Sequence, residues 1–232
     1  MNESTNNASG TTPALEVSGL RFRYDDGPWV IDLDQLTLGP AEQILLTGGS
    51  GFGKSTLLQL IAGLLDPSEG TIRVAGEDMH RRRGASRDIY RGRNIGMIFQ
   101  TFNLLPGFSA LENVMLALMV SDRPKSEHRN HAGALLAELG IDDPGTSPDR
   151  MSVGQQQRVA VARAIACEPP LVLADEPTAS LDPDNTQAAM DMIQRTCEAH
   201  GAALVCTSHD PVLEGRFTRI ESLVKSLVGV PL

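Results

Sequence analysis

A glycine-rich segment at residues 48–55, with the sequence GGSGFGKS, has the composition of a phosphate-binding loop. It fits the pattern G-x-x-x-x-G-K-[ST] without a gap. Glycines let the backbone fold around an anion with several N–H groups pointing inward, and a following helix adds the partial positive charge of its N-terminus. Lys54 supplies a point charge for the outer phosphates, and the Ser55 hydroxyl is suited to binding Mg²⁺. The segment therefore predicts a site for the phosphates of a nucleotide.

The stretches on either side of this loop have the patterns that a phosphate-binding loop requires. Residues 42–47 (EQILLT) form a short apolar run typical of a strand, and residues 56–62 (TLLQLIA) are typical of a helix. The pattern has structural meaning when a strand leads into the loop and a helix leads out of it. The alternative, a glycine-rich turn that fits by chance, is disfavoured for this reason.

Two carboxylates, Asp175 and Glu176, end the apolar run LVLADE at residues 171–176. Such a run is typical of a central parallel strand, and ligands of open α/β sheets bind at the carboxyl ends of the strands. Asp175 could hold Mg²⁺ beside Ser55, and Glu176 could orient or deprotonate an attacking water. The alternative is that the two residues are only a solvated acid pair at a strand end. This interpretation is the weaker one because the chain also contains a phosphate loop.

Three more residues are weak candidates when each is considered alone. Gln100 ends the apolar run NIGMIFQ, and its amide could contact both metal and water, but it could also be a cap. His209 ends another apolar stretch and could hydrogen-bond a γ-phosphate, although a lone histidine is more often structural. Tyr24 offers a ring on which adenine could stack, and a core or surface tyrosine explains it nearly as well.

Length and composition limit the class of protein. The chain has 232 residues, a mass of 24.9 kDa and a net charge of −9, which argues against general nucleic-acid binding. No apolar run reaches membrane-spanning length, and no secretory signal is visible in the Asn/Ser/Thr-rich start, so we expect a cytoplasmic protein. Three cysteines without metal spacing are expected to be reduced thiols that fill core volume. They are Cys167, Cys197 and Cys206.

A run of arginines lies between residues 81 and 93. It could contact an anion, or it could be the solvated surface of a helix. We favour the second interpretation because no aromatic residues alternate with the arginines to stack on bases.

The order of elements predicts an α/β protein with a helical insertion. Residues 1–13 are polar and are expected to form a disordered tail. Strand patterns occur at residues 15–24, 31–38, 71–75, 94–100, 171–174 and 203–207, and helix patterns at 111–120, 124–139, 152–167 and 182–200. We expect one domain over 14–232. Its α/β core (14–101 and 157–232) would carry a helical subdomain at 102–156.

Residues 152–158 (SVGQQQR) resemble the signature motif of the ATP-binding-cassette (ABC) ATPases, usually written LSGGQ. The order and spacing of six motifs match that family: the phosphate loop, Gln100, the signature, Asp175-Glu176, Ser180-Leu181-Asp182 and His209. The resemblance covers about residues 15–217. It implies a P-loop NTPase fold with a RecA-like core, an antiparallel β-subdomain and an inserted α-helical subdomain. Residues 96–114 most resemble ATPases of the lipoprotein-releasing, macrolide-exporting and heterocyst-glycolipid-exporter type.

The resemblance also implies roles at individual positions. Tyr24 would stack on adenine. The phosphates would lie among Gly48, Gly49, Ser50, Gly51, Phe52, Gly53, Lys54, Ser55 and Thr56. Ser55 and Gln100 would ligate Mg²⁺, with Asp175 in its outer shell. Glu176 would be the general base, and His209 would hold the γ-phosphate.

The signature would act on a second copy of the chain. The resemblance implies that Ser152, Gly154 and Gln155 bind the nucleotide held by the other protomer, and that Asp182 lies at the dimer interface. One protomer's phosphate loop lacks donors on the far side of the γ-phosphate, and the other protomer's signature helix would supply them. We therefore expect an ATP-dependent, head-to-tail homodimer.

The function that the resemblance implies is hydrolysis of ATP to ADP and phosphate, with Mg²⁺. The chain would energise a separate integral-membrane permease from the inner face of the plasma membrane and export a lipid-linked or amphiphilic substrate, without binding nucleic acid. Phe102 and Leu104, just after Gln100, are the candidate permease contacts. The alternatives are a soluble ABC ATPase without a permease, a cell-division or regulatory ABC ATPase, and a non-hydrolysing nucleotide binder. The last is disfavoured by Glu176 and His209.

Four features depart from the family pattern. Met151 stands where leucine is usual, Val153 replaces the first glycine of the signature, and Phe52 stands where a small residue is common. Residues 219–232 also lack the usual acidic-Gly hairpin. We expect Val153 to be tolerated, because Ser152 can cap the following helix and position 153 can then be its first helical residue.

Overall fold

The computed structural model describes residues 11–49, 51–179, 181 and 183–223, and the side chains of residues 183 and 184 are outside that description. A parallel sheet of five strands has the order β5-β6-β7-β3-β8. These strands are β3 (Gln43–Thr47), β5 (Ile95–Ile98), β6 (Leu171–Asp175), β7 (Ala203–Thr207) and β8 (Arg219–Ser222). Every neighbouring pair in this sheet is parallel, so all the carboxyl ends lie at one edge.

A second sheet is antiparallel and has three strands in the order β2-β1-β4. They are β1 (Leu15–Phe22), β2 (Ile31–Leu38) and β4 (Glu69–Val74). The first strand pairs with both of the others, Leu15 lying opposite Leu38 on one side and Val74 on the other. This sheet matches the antiparallel part that the family resemblance implies.

Within the described ranges, six α-helices connect the strands. They are α1 (Lys54–Ile61), α2 (Ala85–Asn94), α3 (Ala110–Leu118), α4 (Lys125–Glu138), α5 (Val153–Ile165) and α6 (Pro183–Ala199). Capping boxes begin α3 at Ser109 and α5 at Ser152, each with a Glu or Gln three residues on. Helices α3 and α4 lie between β5 and α5 in the chain, and all three pack against one another.

Two hydrophobic cores lie on the two faces of the parallel sheet. On β3, Ile44 and Leu46 belong to the core shared with α1 and the antiparallel sheet, while Leu45 belongs to the core shared with α3, α4 and α5. The alternation follows from the two-residue period of a strand. Because both faces are covered, the central strands read as continuous apolar runs.

Several element boundaries differ from the sequence-based predictions. The first strand ends at Phe22, not at Tyr24, and β5 ends at Ile98. Gln100 and His209 therefore lie two residues beyond strand ends, which corrects the prediction that they end strands. The sequence patterns do not predict strand β8, which has only four residues and no buried position.

The arginines between residues 81 and 93 mostly form ion pairs with nearby carboxylates. The pairs are Arg81–Asp78, Arg82–Glu77, Arg87–Asp66, Arg91–Asp88 and Arg93–Asp122. All lie at or near the surface, where such pairs contribute little to stability. The arrangement agrees with the interpretation of a solvated helix surface.

The three cysteines are free thiols. Burial raises the pKa of Cys167 to about 11 and that of Cys197 to about 12, and it raises the pKa of Cys206 further. A thiol with a raised pKa carries little thiolate and is a poor nucleophile or metal ligand. These cysteines fill volume in the core and beside it, as expected.

No helix in the described part of the chain is long and apolar enough to cross a bilayer. The apolar positions Leu111, Val114 and Leu118 of α3 are buried, and Met119, the residue after the helix, is exposed. Phe102 is only 6% exposed, so its ring is not available for a permease contact, which corrects that prediction. Leu105 and Phe108, a few residues on, are exposed.

Candidate functional site

The predicted nucleotide-binding residues meet at the carboxyl edge of the parallel sheet. β7 lies between β3 and β6, so the loop after β3 and the carboxylates of β6 are separated by one strand. A cavity of about 610 Å³ opens there, lined by residues 51–56 together with Tyr24, Val30, Glu176 and His209. Such edges are where α/β sheets bind their ligands.

A larger cavity, of about 940 Å³, lies between α2, the start of α4 and residues 166–170. None of the predicted site residues lines it. Size alone would favour this cavity, but the chemistry favours the smaller one, where cationic, hydroxyl and carboxylate groups converge.

The phosphate loop has a backbone that requires glycine. Gly48, Gly51 and Gly53 have φ values of 148°, 78° and 88°. At Gly53, which caps α1, an added Cβ would lie 2.7 Å from Ile31 Cδ1 and 2.9 Å from the Val30 carbonyl oxygen. The left-handed conformation and the close approach both exclude a side chain. Ser50 lies outside the described residues.

Lys54 is buried within the loop. Its ammonium donates hydrogen bonds to the carbonyl oxygens of Gly48 at 2.7 Å and Gly49 at 3.4 Å. The positive charge therefore lies over the loop, where phosphate oxygens could replace or join these acceptors. This is the position that the sequence predicts for the phosphate-binding lysine.

Phe52 packs back onto the loop. An added Cβ at Gly49 would lie 3.1–3.3 Å from three atoms of the Phe52 ring, and the Phe52 N–H donates to the Gly49 carbonyl. The bulky residue is accommodated because position 49 has no side chain. The departure from the family pattern at position 52 is thus matched by glycine at position 49.

Ser55, Asp175 and Thr207 form a chain of hydroxyl and carboxylate groups. Asp175 Oδ1 accepts a hydrogen bond from the Ser55 hydroxyl at 3.1 Å and another from the Thr207 hydroxyl at 2.8 Å. Hard oxygen ligands of this kind suit Mg²⁺, which is usually held by one or two protein groups, waters and substrate phosphates. In the described part of the chain, no group of three or more His, Cys, Asp or Glu side chains is arranged to hold a metal ion.

Glu176 lies one residue beyond β6 in a left-handed conformation, with φ 45°. Its N–H donates to the Thr207 hydroxyl at 3.0 Å, and its carboxylate lies 3.0 Å from His209 Nδ1. A non-glycine residue in this conformation costs about 1–3 kcal/mol and persists only when its surroundings hold it. Thr207 therefore holds the backbone of Glu176, and His209 contacts the carboxylate beside the cavity that Glu176 lines.

Thr207 is a site residue that sequence reasoning did not identify. It is fully buried, and its hydroxyl contacts both Asp175 and the backbone of Glu176. The available signal was a polar residue at the end of the apolar run ALVCT, on a strand predicted to lie in the sheet. That pattern does not predict which residues the Thr207 hydroxyl contacts, because the order of strands in the sheet cannot be derived from it.

Tyr24 lies at the other end of the cavity. Its hydroxyl is 3.2 Å from Thr56 Oγ1, and its ring packs edge-on against Phe22, with centroids 4.8 Å apart. The ring is half exposed, which leaves a face free for stacking. Gln100 is exposed on the segment between β5 and α3.

The signature residues lie in a different part of the molecule. Ser152 and Gln155 form the capping box of α5, with bonds of 3.3 and 2.9 Å, and Val153 is the first helical residue, 48% exposed. Ser152, Val153 and Gly154 line a separate cavity that includes no residue of the phosphate loop. The structure of one chain therefore brings Lys54, Asp175, Glu176 and His209 together but leaves the signature apart. Asp182 and Ser180 lie outside the described residues.

Comparison with known proteins gives consistent matches. Residues 32–179 match the family model described as ABC transporter. The chain is 38% identical to the lipoprotein-releasing system ATP-binding protein LolD of Geobacter metallireducens, over 92% of this chain and 97% of that protein. It is 42% identical to the protein of the same name from Anaeromyxobacter dehalogenans, over 92% of this chain and 91% of that protein.

Solved structures share the fold. A dimeric, post-hydrolysis state of the ATP-binding cassette MJ0796, bound to ADP and Pi, superposes with a TM-score of 0.79 at 31% identity, covering 91% of this chain and 94% of that one. The cbiO1 protein of Clostridium perfringens, part of the ABC transporter complex cbiONQ, gives a TM-score of 0.82 at 26% identity. This match covers 93% of the present chain and 86% of the cbiO1 chain.

Proposed function

The chain belongs to the ABC transporter family, and we propose that it is the ATP-hydrolysing subunit that energises a separate membrane permease. One observation carries the proposal. At a single sheet edge, a phosphate loop with a buried lysine faces a carboxylate pair and a histidine. That combination can bind a triphosphate at one side of the cavity and activate water at the other.

The proposed roles are those that the family resemblance implies, and the contacts within the site support them. The phosphate loop and Lys54 bind the β- and γ-phosphates, and Tyr24 stacks on adenine. Glu176 accepts a proton from the attacking water, because it lines the cavity, its backbone is held by Thr207 and its carboxylate contacts His209. His209, which contacts Glu176, orients the carboxylate and can donate to the γ-phosphate.

The residues around Asp175 fit a magnesium ion, which would neutralise charge on the phosphate oxygens. Ser55 and Gln100 would bind it directly, and Asp175 would act from the outer shell while its Oδ1 accepts from Ser55 and Thr207. The 3.1 Å separation of the Ser55 and Asp175 oxygens supports Ser55 as a Mg²⁺ ligand.

A second copy of the chain would complete the site. Ser152, Gly154 and Gln155 are exposed on one chain and distant from its own phosphate loop. Gly154 has open space where a side chain would be, so the chain's own packing does not explain the glycine. We propose a head-to-tail pair in which these residues bind the γ-phosphate held by the partner.

The transport role rests on the relatives. Their name describes an ATP-binding protein of a lipoprotein-releasing system, and we propose an amphiphilic or lipid-linked exported substrate for this chain as well. The permease would hold the chain at the inner face of the plasma membrane. The exposed Leu105 and Phe108, which follow Gln100, are better candidate contacts than the buried Phe102.

The test is Glu176→Gln, which keeps the size of the side chain and removes the base. Phosphate release is expected to fall at least ~10²-fold, while ATP binding is retained. Glu168→Gln is the matched control, since Glu168 is an exposed acid paired with Arg123 away from the cavity, and it should keep wild-type turnover. Unchanged turnover in Glu176→Gln would remove Glu176 from its role.

The same variant tests assembly. With ATP, Glu176→Gln should have a mass of about 50 kDa by light scattering, twice the 24.9 kDa of one chain, and without nucleotide it should be largely monomeric. A mass that does not respond to ATP at micromolar protein concentration would contradict the proposed pair.

A further inference from the structure

Arg163 of α5 holds the segment that follows Gln100 by its backbone. Its two terminal nitrogens donate hydrogen bonds to the carbonyl oxygens of Phe102 and Asn103, each at 2.6 Å. A planar guanidinium can bridge two neighbouring acceptors, whereas a lysine ammonium is a point charge without that fixed fork. The side chain is therefore a rigid link between a helix and a loop about sixty residues away in sequence.

The loop at this contact has an unusual backbone. Phe102 and Asn103 both have left-handed conformations, with φ of 57° and 47°. This costs roughly 1–2 kcal/mol for a residue with a side chain, although asparagine tolerates it better. The turn is closed by the Phe102 N–H donating to Phe99 O at 3.0 Å and by Thr101 contacting the Asn103 side chain at 2.8 Å. Arg163 adds the contacts that hold it from outside.

The charge of Arg163 is expensive where it lies. Burial lowers the pKa of Arg163, and no carboxylate forms an ion pair with it within the part of the chain that the structure describes. A cation that is partly removed from water and has no counter-ion is costly unless its hydrogen bonds are well made. A neutral side chain could fill the same space at a lower desolvation cost. What Arg163 adds is a pair of hydrogen bonds to two neighbouring carbonyl oxygens.

The two structures that Arg163 connects both carry proposed site residues. Ser152, at the start of α5, is about three helical turns from Arg163. Gln100 is two residues before Phe102 on the clamped segment. We infer that Arg163 is a positioning residue for Gln100: by holding the backbone two residues beyond Gln100, it restricts where the Gln100 amide can lie relative to Ser55. The inference rests on the proposed function, because it takes Gln100 as a ligand of Mg²⁺.

The test measures the Mg²⁺ concentration that gives half-maximal ATP turnover. In Arg163→Met it should rise about tenfold, the lower end of the effect of losing a group that orients a metal ligand. ATP binding in EDTA, which depends on the phosphate loop and Tyr24, should stay within about twofold. Arg163→Lys keeps the charge without the fork and should give an intermediate rise. This variant also carries the test if Arg163→Met is recovered unfolded.

Arg87→Met is the matched control. Arg87 is also a part-buried arginine that donates to two backbone carbonyls, those of Arg82 and His80, and it lies on α2 outside the site. Its loss should lower the melting temperature without changing the Mg²⁺ requirement. If Arg163→Met behaves in the same way, the role of Arg163 is structural only and the inference fails.

Two further measurements sharpen the result. Without nucleotide, the amides of Phe102 and Asn103 should exchange hydrogen faster in Arg163→Met and not in Arg87→Met. Adding Arg163→Met to Gln100→Ala should cause no further rise in the Mg²⁺ requirement, and an independent rise would overturn the inference.

A wild-type chain without Mg²⁺-dependent turnover would defeat the proposed function itself. Normal wild-type turnover with an unchanged requirement in Arg163→Met would defeat this inference alone.

Discussion

The phosphate-loop region and the signature region both contain glycines of the predicted site, but these glycines differ in their surroundings. Gly48 and Gly53 have positive φ values, of 148° and 88°. At each of them an added Cβ would lie within 3 Å of an atom of the same chain. At Gly154 an added Cβ meets no atom within 4 Å, and the residue is helical. The fold of one chain therefore requires glycine at positions 48 and 53, whereas it does not require glycine at position 154, where the proposed head-to-tail pair would.

Gly53→Ala should have the largest effect. The Cβ would clash with Ile31 and with the Val30 carbonyl, and the φ of 88° adds a cost of about 1–2 kcal/mol. We expect a lower melting temperature and loss of ATP binding, measured by calorimetry and by a fluorescent nucleotide. Normal stability in this variant would show that the loop glycine is not required by the chain's own packing.

Gly154→Asp should abolish hydrolysis and leave the single chain intact. The side chain has room in the monomer, so the melting temperature and the ATP affinity of the monomer should be unchanged. In the pair, its bulk and negative charge would meet the partner's γ-phosphate, so turnover should fall at least ~10²-fold and dimerisation with ATP should be lost. An equal loss of stability would remove the contrast between the two regions.

Thr207→Val should reduce turnover about tenfold. The substitution keeps the shape but removes the hydroxyl that accepts from the Glu176 N–H and donates to Asp175. An unsatisfied buried N–H costs about 1–3 kcal/mol, so Glu176 should lose its fixed position. The measurement is kcat with saturating ATP and Mg²⁺. Thr196→Val on α6, another buried threonine, is the control and should change stability only.

Val153→Gly should have the smallest effect. Val153 occupies the first position of α5, with its side chain exposed, and a β-branched residue there costs only a few tenths of a kcal/mol. Turnover should change less than about threefold, or ~0.7 kcal/mol of barrier. A rise of tenfold or more would mean that the native signature is impaired. This chain would then resemble the degenerate half of a heterodimer.

Much of this protein is determined by the sequence alone because the relevant signals are local. The phosphate loop needs its glycines, lysine and serine within eight residues, and the capping boxes at Ser109 and Ser152 lie within one helical turn. The apolar runs of the central strands are equally local. Residues such as Lys54, Asp175 and Glu176 could therefore be assigned before any fold was known, and the motif order identified the family.

The tertiary structure decided what depends on which strands and helices are neighbours. Placing β7 between β3 and β6 brings Thr207 against Asp175 and Glu176, and packing α5 against the loop after β5 brings Arg163 to Phe102. These contacts join residues about 30 to 60 positions apart, and no local pattern encodes their pairing. The burial of Phe102 and the short strand β8 were missed for the same reason. Strand order and loop conformation are fixed by packing across the whole chain, not by the residues of any one segment.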